Sequence, residues 1–199
     1  MICAIVLAAG YSSRMGTQKL LLPFGEKTVI SHIVDQVLSS SVEKVYVVTG
    51  HQAEQVTGEL SGKPITIVNN PEYESGMLSS VRAGLRDTPQ ECKAVLVALG
   101  DQPSITTELI DQMIQSFSST EKKIIVPLHK GKHGHPILFS NTYRDEILTD
   151  YDDVGLRGIL QTHNDDIFEM NVSSHAVLSD IDNPSDYQRE LKEYENKQS

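Results

Sequence analysis

Five short runs of apolar and β-branched residues constrain this chain more than any other feature: Ile2–Leu7, Lys44–Thr49, Ile65–Val68, Ala94–Leu99 and Lys123–Pro127. Between them lie segments whose apolar residues recur at helical spacing, namely Val29–Leu38, Leu78–Leu85 and Glu108–Phe117, with Gln52–Leu60 a weaker case. Strands that alternate with helices bury both kinds of surface as β–α units, and such units build a mostly parallel sheet. The strand runs are continuously apolar, as a sheet covered on both faces requires. The fold class that follows is α/β, a Rossmann-like three-layer sandwich with a mostly parallel central sheet.

The chain has 199 residues, a length that fits one domain over 1–199, and no low-complexity linker divides it. Beyond Pro127 the pattern loosens. Lys130–His133 reads as a turn and His135–Phe139 as a short strand. Asn141–Leu148 and Gly155–Gln161 read as short helices, and Ile167–Asn171 and His175–Ile181 as late strands. Pro184–Tyr194 reads as a closing helix with proline in its first turn, followed by a polar tail, 192–199, expected to fray.

Net charge is −10, which disfavours nonspecific nucleic-acid partners and anionic membranes. An anionic ligand would need local Arg or Lys, backbone N–H groups or a metal to overcome that background. The apolar N-terminus has no basic segment before it and runs straight into a Gly/Ser loop. It reads as a buried strand of a cytoplasmic protein and not as a signal peptide. Cys3 and Cys92 sit in apolar strand-like runs and read first as buried reduced thiols, with a disulfide as the alternative.

The loop after the first strand, Leu7–Gly25 (LAAGYSSRMGTQKLLLPFG), leaves the sheet at the carboxyl edge, where α/β folds bind ligands. Its small residues let backbone N–H groups approach phosphate oxygens, and Arg14 and Lys19 supply charge. It matches neither G-x-G-x-x-G nor G-x-x-x-x-G-K-[ST]. Gly100–Pro103 (GDQP) ends a strongly apolar strand. Its Asp101 is placed to hold a cation beside a phosphate loop, and fits a helix-capping turn equally well.

This loop resembles the signature of nucleotidyltransferases of the molybdenum cofactor and sugar-nucleotide type, L-A-x-G-x-[ST]-x-R-M-G-x-x-K. Ala8-Ala9-Gly10 and Leu20–Pro23 are closer to the molybdenum cofactor cytidylyltransferase branch than to the guanylyltransferase branch. The resemblance implies the nucleotide-diphospho-sugar transferase type of fold. It places Arg14 and Lys19 on the triphosphate and Leu7, Ala8, Ala9 and Gly10 against base and ribose. Asn70–Leu85 resembles the family's N-P-x-x-x-x-G-M-x-S-S motif, which adds Gly76, Ser79 and Ser80 to the nucleotide contacts. Asp101, with Asp182 of the late DIDNP segment, would hold Mg²⁺.

On the acceptor side, Gly131–Phe139 (GKHGHPILF) resembles G-x-R-G-H-P-x-L-F, with His133 where the family has Arg. Lys132, His133 and His135, together with Arg157 of DDVGLRGIL, are the acceptor-binding expectations. His129, His133 and His135 lack a nearby Cys or an H-E-x-x-H arrangement, which weighs against zinc. The activity implied is Mg²⁺-dependent transfer of CMP from CTP to the phosphate of a molybdopterin-type acceptor. Arg14, Lys19 and Asp101 carry it, and a molybdoenzyme or its maturation factor is the onward partner. Two rivals are the same fold acting with GTP or on a phosphosugar or phospho-alcohol, and a carrier that binds without turnover.

Overall fold

The computed structural model describes residues 1–12 and 15–198, with the side chains of 197 and 198 left out. The elements are β1 (Ile2–Ala8), β2 (Pro23–Phe24), β3 (Lys27–Thr28), α1 (Val29–Leu38), β4 (Lys44–Thr49), α2 (Ala53–Glu59), β5 (Thr66–Asn69), α3 (Met77–Asp87), β6 (Ala94–Leu99) and α4 (Thr107–Ser119). They continue with β7 (Ile124–His129), β8 (Lys132–His133), β9 (Ile137–Ser140), α5 (Arg144–Thr149), α6 (Arg157–Thr162), β10 (Ile167–Asn171) and α7 (Pro184–Gln198).

Among the described residues one sheet of eight strands runs β10-β7-β9-β6-β1-β4-β5, with β8 paired to β7. β1 lies between β4 and β6 and is parallel to both, in the registers Ala4↔Val45 and Ile2↔Ala94. β9 runs antiparallel between β6 and β7. The sheet is mixed and mostly parallel, with helices on both faces.

The strand period of two decides which helix each residue of β1 meets. Ala4, Val6 and Ala8 pack with Ile30, Ile33 and Val37 of α1 and with Ile110 and Met113 of α4. Cys3 and Ile5 face Leu78, Val81 and Leu85 of α3, Ile147 of α5 and Ile159 of α6. Side-chain caps fix two helix starts, Thr28 Oγ1 accepting from Ser31 N and Thr106 Oγ1 from Leu109 N. Because Thr106 caps α4, Asp101 is not used as a cap.

Four expectations change. Cys3 and Cys92 are not free thiols: they form a disulfide with Cα atoms 6.2 Å apart. The β1–β6 register sets the start of β1 beside the residues entering β6, and both side chains turn to the α3 face. His175–Ile181 is not a strand. Ser174 caps a 3₁₀ turn over His175–Leu178, and the segment then meets the sheet end through single bonds, His135 N to Val177 O and Ile181 N to Asp101 O. Lys130–His133 is only partly turn, since Lys132 and His133 pair back onto β7. The tail does not end its helix at Tyr194. α7 continues to Gln198, and Tyr194 is anchored against Phe24 and His32 at centroid distances of 4.7 and 5.2 Å.

Asp35 of α1 accepts from Lys27 Nζ at 2.6 Å and pairs with Lys63. Burial by itself would raise the Asp35 pKa, but the two lysines outweigh it and hold the carboxyl below its usual value. A depressed folded-state pKa gives stability that is present above the unfolded value of about 3.9 and lost as pH falls through the folded value. Asp35→Asn is expected to lower the melting temperature at pH 7 by roughly 2–4 °C, the equivalent of ~1 kcal/mol at this size. Melts across pH should show the difference closing as pH falls below the unfolded value of about 3.9, and a difference independent of pH would exclude the ionic origin.

Candidate active site

The carboxyl ends of β1 and β6 open into a cleft of about 420 Å³ lined on one side by Leu7, Ala9 and Gly10 and on the other by Leu99 and Asp101. Between β1 and Lys19 the loop is held by its own polar groups. Lys19 N donates to Ser12 Oγ at 2.9 Å, and Ser12 Oγ donates to Gln18 Oε1 at 2.6 Å. This brings the mostly buried Lys19 side chain back under the sheet edge. Its Nζ lies 2.5 Å from Asp101 Oδ2 and 3.5 Å from Asp182 Oδ1.

Asp182 arrives from the far end of the chain. The extended segment before α7 is pinned by Ile181 N donating to Asp101 O at 3.0 Å. Residues two apart on an extended segment point the same way, so Asp180 comes in with Asp182. One carboxylate oxygen from each of Asp101, Asp180 and Asp182 lies within 4.8 Å of the others, and all three residues are half-buried. Burial first, and then the charges of Asp101 and Asp182, raise the Asp180 pKa above its ordinary value. Clustered carboxylate oxygens beside a lysine are the hard donor set that suits Mg²⁺ or Mn²⁺.

The other wall of the cleft is the start of α3. Gly76 sits at φ +98°, a conformation that side-chain-bearing residues rarely adopt, and it lines the cleft with Met77 and Ser80. Buried Asn70 braces this turn: its Nδ2 donates to Ser79 Oγ at 2.9 Å and to Ser80 Oγ at 3.0 Å. At the rim, Tyr11 stacks on His51 with centroids 4.5 Å apart, and its Oη donates to Glu74 Oε1 at 2.6 Å.

A second cleft, of about 580 Å³, shares Met77, Leu99 and Asp180 with the first. His133, His135, Arg157, Gln161 and Gln102 are its polar lining. Burial pushes the His135 pKa down to about 4, so the imidazole is neutral near pH 7. His133 Nε2 lies 2.6 Å from Glu169 Oε1. Gly134 has no room for a side chain, since a Cβ there would lie 2.3 Å from Val177 O.

The structure therefore gathers Leu7, Ala9, Gly10, Lys19, Gly76, Ser80, Asp101 and Asp182 around one cleft, and His133, His135 and Arg157 around the adjoining one. Ala8 is buried in the sheet and Ser79 is occupied in the α3 turn, so neither lines the first cleft. Lys132 is exposed and lines neither. Arg14 lies outside the described residues. Sequence reasoning missed Asp180, Tyr11, Tyr73, Glu74 and Gln102. The D-x-D spacing of Asp180 and Asp182 could have revealed the first of these. The aromatic rim depends on distant chain segments and carries no local signal.

The family profile described as MobA-like NTP transferase domain matches residues 4–167. The chain belongs to this family. A MobA-like relative, the molybdenum cofactor cytidylyltransferase of Escherichia coli, is 29% identical over 184 residues, 92% of each protein. A nucleotidyl transferase from Methanothermobacter thermautotroptrophicus superposes with a TM-score of 0.87 at 26% identity, covering 99% of both chains. A Mycobacterium tuberculosis protein solved in complex with manganese superposes at 0.79 with 24% identity, covering 96% of this chain and 98% of that one. The MobA-like chain is a nucleotidyltransferase of the nucleotide-diphospho-sugar transferase fold. No described helix is long and apolar enough to cross a membrane.

If the carboxylate cluster holds a divalent cation, saturating Mg²⁺ or Mn²⁺ stabilises the fold by mass action. At 100 times Kd the gain is about 2.7 kcal/mol, a rise in melting temperature of roughly 5–10 °C. Asp101→Asn is expected to abolish this metal-induced rise and Asp180→Asn to diminish it. An Asp180→Asn variant with the full rise would remove Asp180 from the ligand set.

Proposed function

We propose that the protein transfers CMP from CTP to the phosphate of a molybdopterin-type acceptor, with Mg²⁺ bound and pyrophosphate released. The observation that carries this reading is the pair of clefts meeting at Asp180, beside Lys19 and the other two carboxylates. One cleft suits a nucleoside triphosphate and the other a second, anionic substrate. Similarity at 29% identity over 92% of the chain to a molybdenum cofactor cytidylyltransferase favours CTP and this acceptor.

In the proposed reaction an acceptor phosphate oxygen attacks the α-phosphorus of CTP in line. The new P–O bond forms as the bond to the β-phosphate breaks, and pyrophosphate carries away the negative charge. Such transfer depends on positioning and charge neutralisation, with little covalent work for the protein. Lys19 exchanges its carboxylate partners for triphosphate oxygens and neutralises the charge growing on the leaving group. Arg14, outside the described residues, is assigned to the same triphosphate. Asp101, Asp180 and Asp182 would hold Mg²⁺, which when bound would supply positive charge against the triphosphate. Arg157 faces the acceptor phosphate, and neutral His135 can donate a hydrogen bond to it without adding charge. No protein base is required, because a phosphate monoester is already ionised near neutral pH. A cytoplasmic setting and onward delivery to a molybdoenzyme or its maturation factor belong to the same reading.

The test is pyrophosphate release measured for CTP, GTP, UTP and ATP against molybdenum-bound molybdopterin, a phosphosugar and a phospho-alcohol. The expected outcome is release with CTP that depends on the molybdopterin acceptor. Release with another pairing would transfer the reading to that substrate, and binding without release would mark a carrier. In the active pairing, Asp101→Ala should abolish turnover, and Lys19→Met should lower kcat by about 10²–10³-fold. Full activity in either variant would contradict its assignment.

A further inference from the structure

Among the described residues, three side-chain oxygens are buried without a hydrogen-bond partner: Gln102 Oε1, Asn141 Oδ1 and Glu190 Oε1. Glu190 sits beside Arg189, whose Nε lies 3.5 Å from that oxygen, and its other oxygen accepts from Ser104. Asn141 is tied by its Nδ2 to Gln90 O and lines neither cleft of the active site. Gln102 differs from both, because it is only 2% exposed and is part of the wall of the second cleft.

Its backbone is fixed in the turn after β6. Gln102 N donates to Leu99 O at 3.4 Å, and its own carbonyl accepts from Ile105 N at 3.2 Å. The side chain is thus held in the wall of the second cleft, one residue along the chain from Asp101. Native proteins seldom bury a polar side-chain atom without a partner, so an oxygen left unpaired in the wall of a cleft calls for a functional explanation. The wall around it is largely apolar, with Leu99, Ile137, Leu156, Leu160 and Val177, and so suits a flat ring more than a polyol.

We propose that Gln102 is a specificity residue that reads a ring amide, –NH–C(=O)–, of the acceptor. A carboxamide carries one acceptor and one donor side by side in a plane, and the edge of a cyclic amide carries the complementary pair. Half a turn about the last side-chain bond exchanges oxygen and nitrogen, so the unpaired group can meet the ring from the cleft. Arg157 and His135 on the same cleft then face the anionic end of that molecule. A site built to pair with such an edge discriminates strongly against an analogue lacking it, because its own polar groups are left unsatisfied. The inference rests on the reading that the second cleft takes the acceptor. It adds what the ring must offer.

The experiment compares the native protein with Gln102→Met and Arg157→Ala. Michaelis constants are measured for CTP and for molybdenum-bound molybdopterin. Fluorescence titration is run with 6-hydroxymethylpterin, which has the ring amide, and with its 3-methyl derivative, in which that N–H is blocked. Gln102→Met is expected to raise the acceptor KM about tenfold or more while the CTP KM stays within about twofold. It should also bring the two pterins to equal affinity, where the native protein prefers the unblocked one by a similar factor. Its melting temperature should hold or rise, since an unpaired buried oxygen is gone. An unchanged acceptor KM, or native binding indifferent to the methyl group, overturns the proposal. If only Arg157→Ala raises the acceptor KM, the cleft assignment stands and the Gln102 role falls. If neither variant moves it, the cleft assignment itself fails. Absence of turnover with every triphosphate would defeat the proposed function, while the pterin titration still reads Gln102.

Discussion

Three carboxylates with oxygens within 4.8 Å of one another repel, and the active end of this protein is organised around containing that repulsion. Lys19 is the described cation set among them, 2.5 Å from Asp101 and 3.5 Å from Asp182. The sheet delivers Asp101 at the end of β6, and the loop after β1 folds over to bring Lys19. The return segment before α7 supplies the other two acids and is pinned by a backbone bond from Ile181 N to Asp101 O. Each of these pieces has meaning only beside the others.

The packing explains why that geometry can be held. β1 is buried on both sides and gripped by two parallel neighbours, so its carboxyl end is among the more rigid places in the fold. The α7 helix acts at a distance from the chemistry. Through Tyr187, Leu191 and Tyr194 it packs on Phe24 and Val29, and its entry segment supplies Ile181 to the same apolar cluster. The acids at 180 and 182 are therefore anchored by buried side chains on either side of the site. Two clefts that share Met77, Leu99 and Asp180 then adjoin at one point.

Much of this was legible in the residues. The five apolar runs map onto β1, β4, β5, β6 and β7, and Val29–Leu38 is α1 at both ends. Strong periodicity and clean caps make such elements readable locally. The late region was harder. His175–Ile181 carries apolar residues in a strand-like order but turns at Ser174 and finds no strand to pair with. Its inward side chains are instead buried against the sheet end. The thiols of Cys3 and Cys92 were assigned by compartment arguments, whereas their pairing follows from the register of β1 against β6.

By itself the sequence determined the α/β class, because hydrophobic periodicity is a local property of the chain. Residue chemistry suggested phosphate binding for the first loop and Lys19, while the metal role of Asp101 leaned on, and that of Asp182 came from, the resemblance to the family. Tertiary structure alone decided that Asp180 joins the acids and that Ser79 and Ala8 stand back from the cleft. It also decided that Tyr11 stacks on His51 and that Gln102 keeps an unsatisfied oxygen beside the second cleft. Each of those facts depends on which distant segments share a sheet edge. Burial and hydrogen-bond satisfaction are set by neighbours in space, and their order along the chain does not record them.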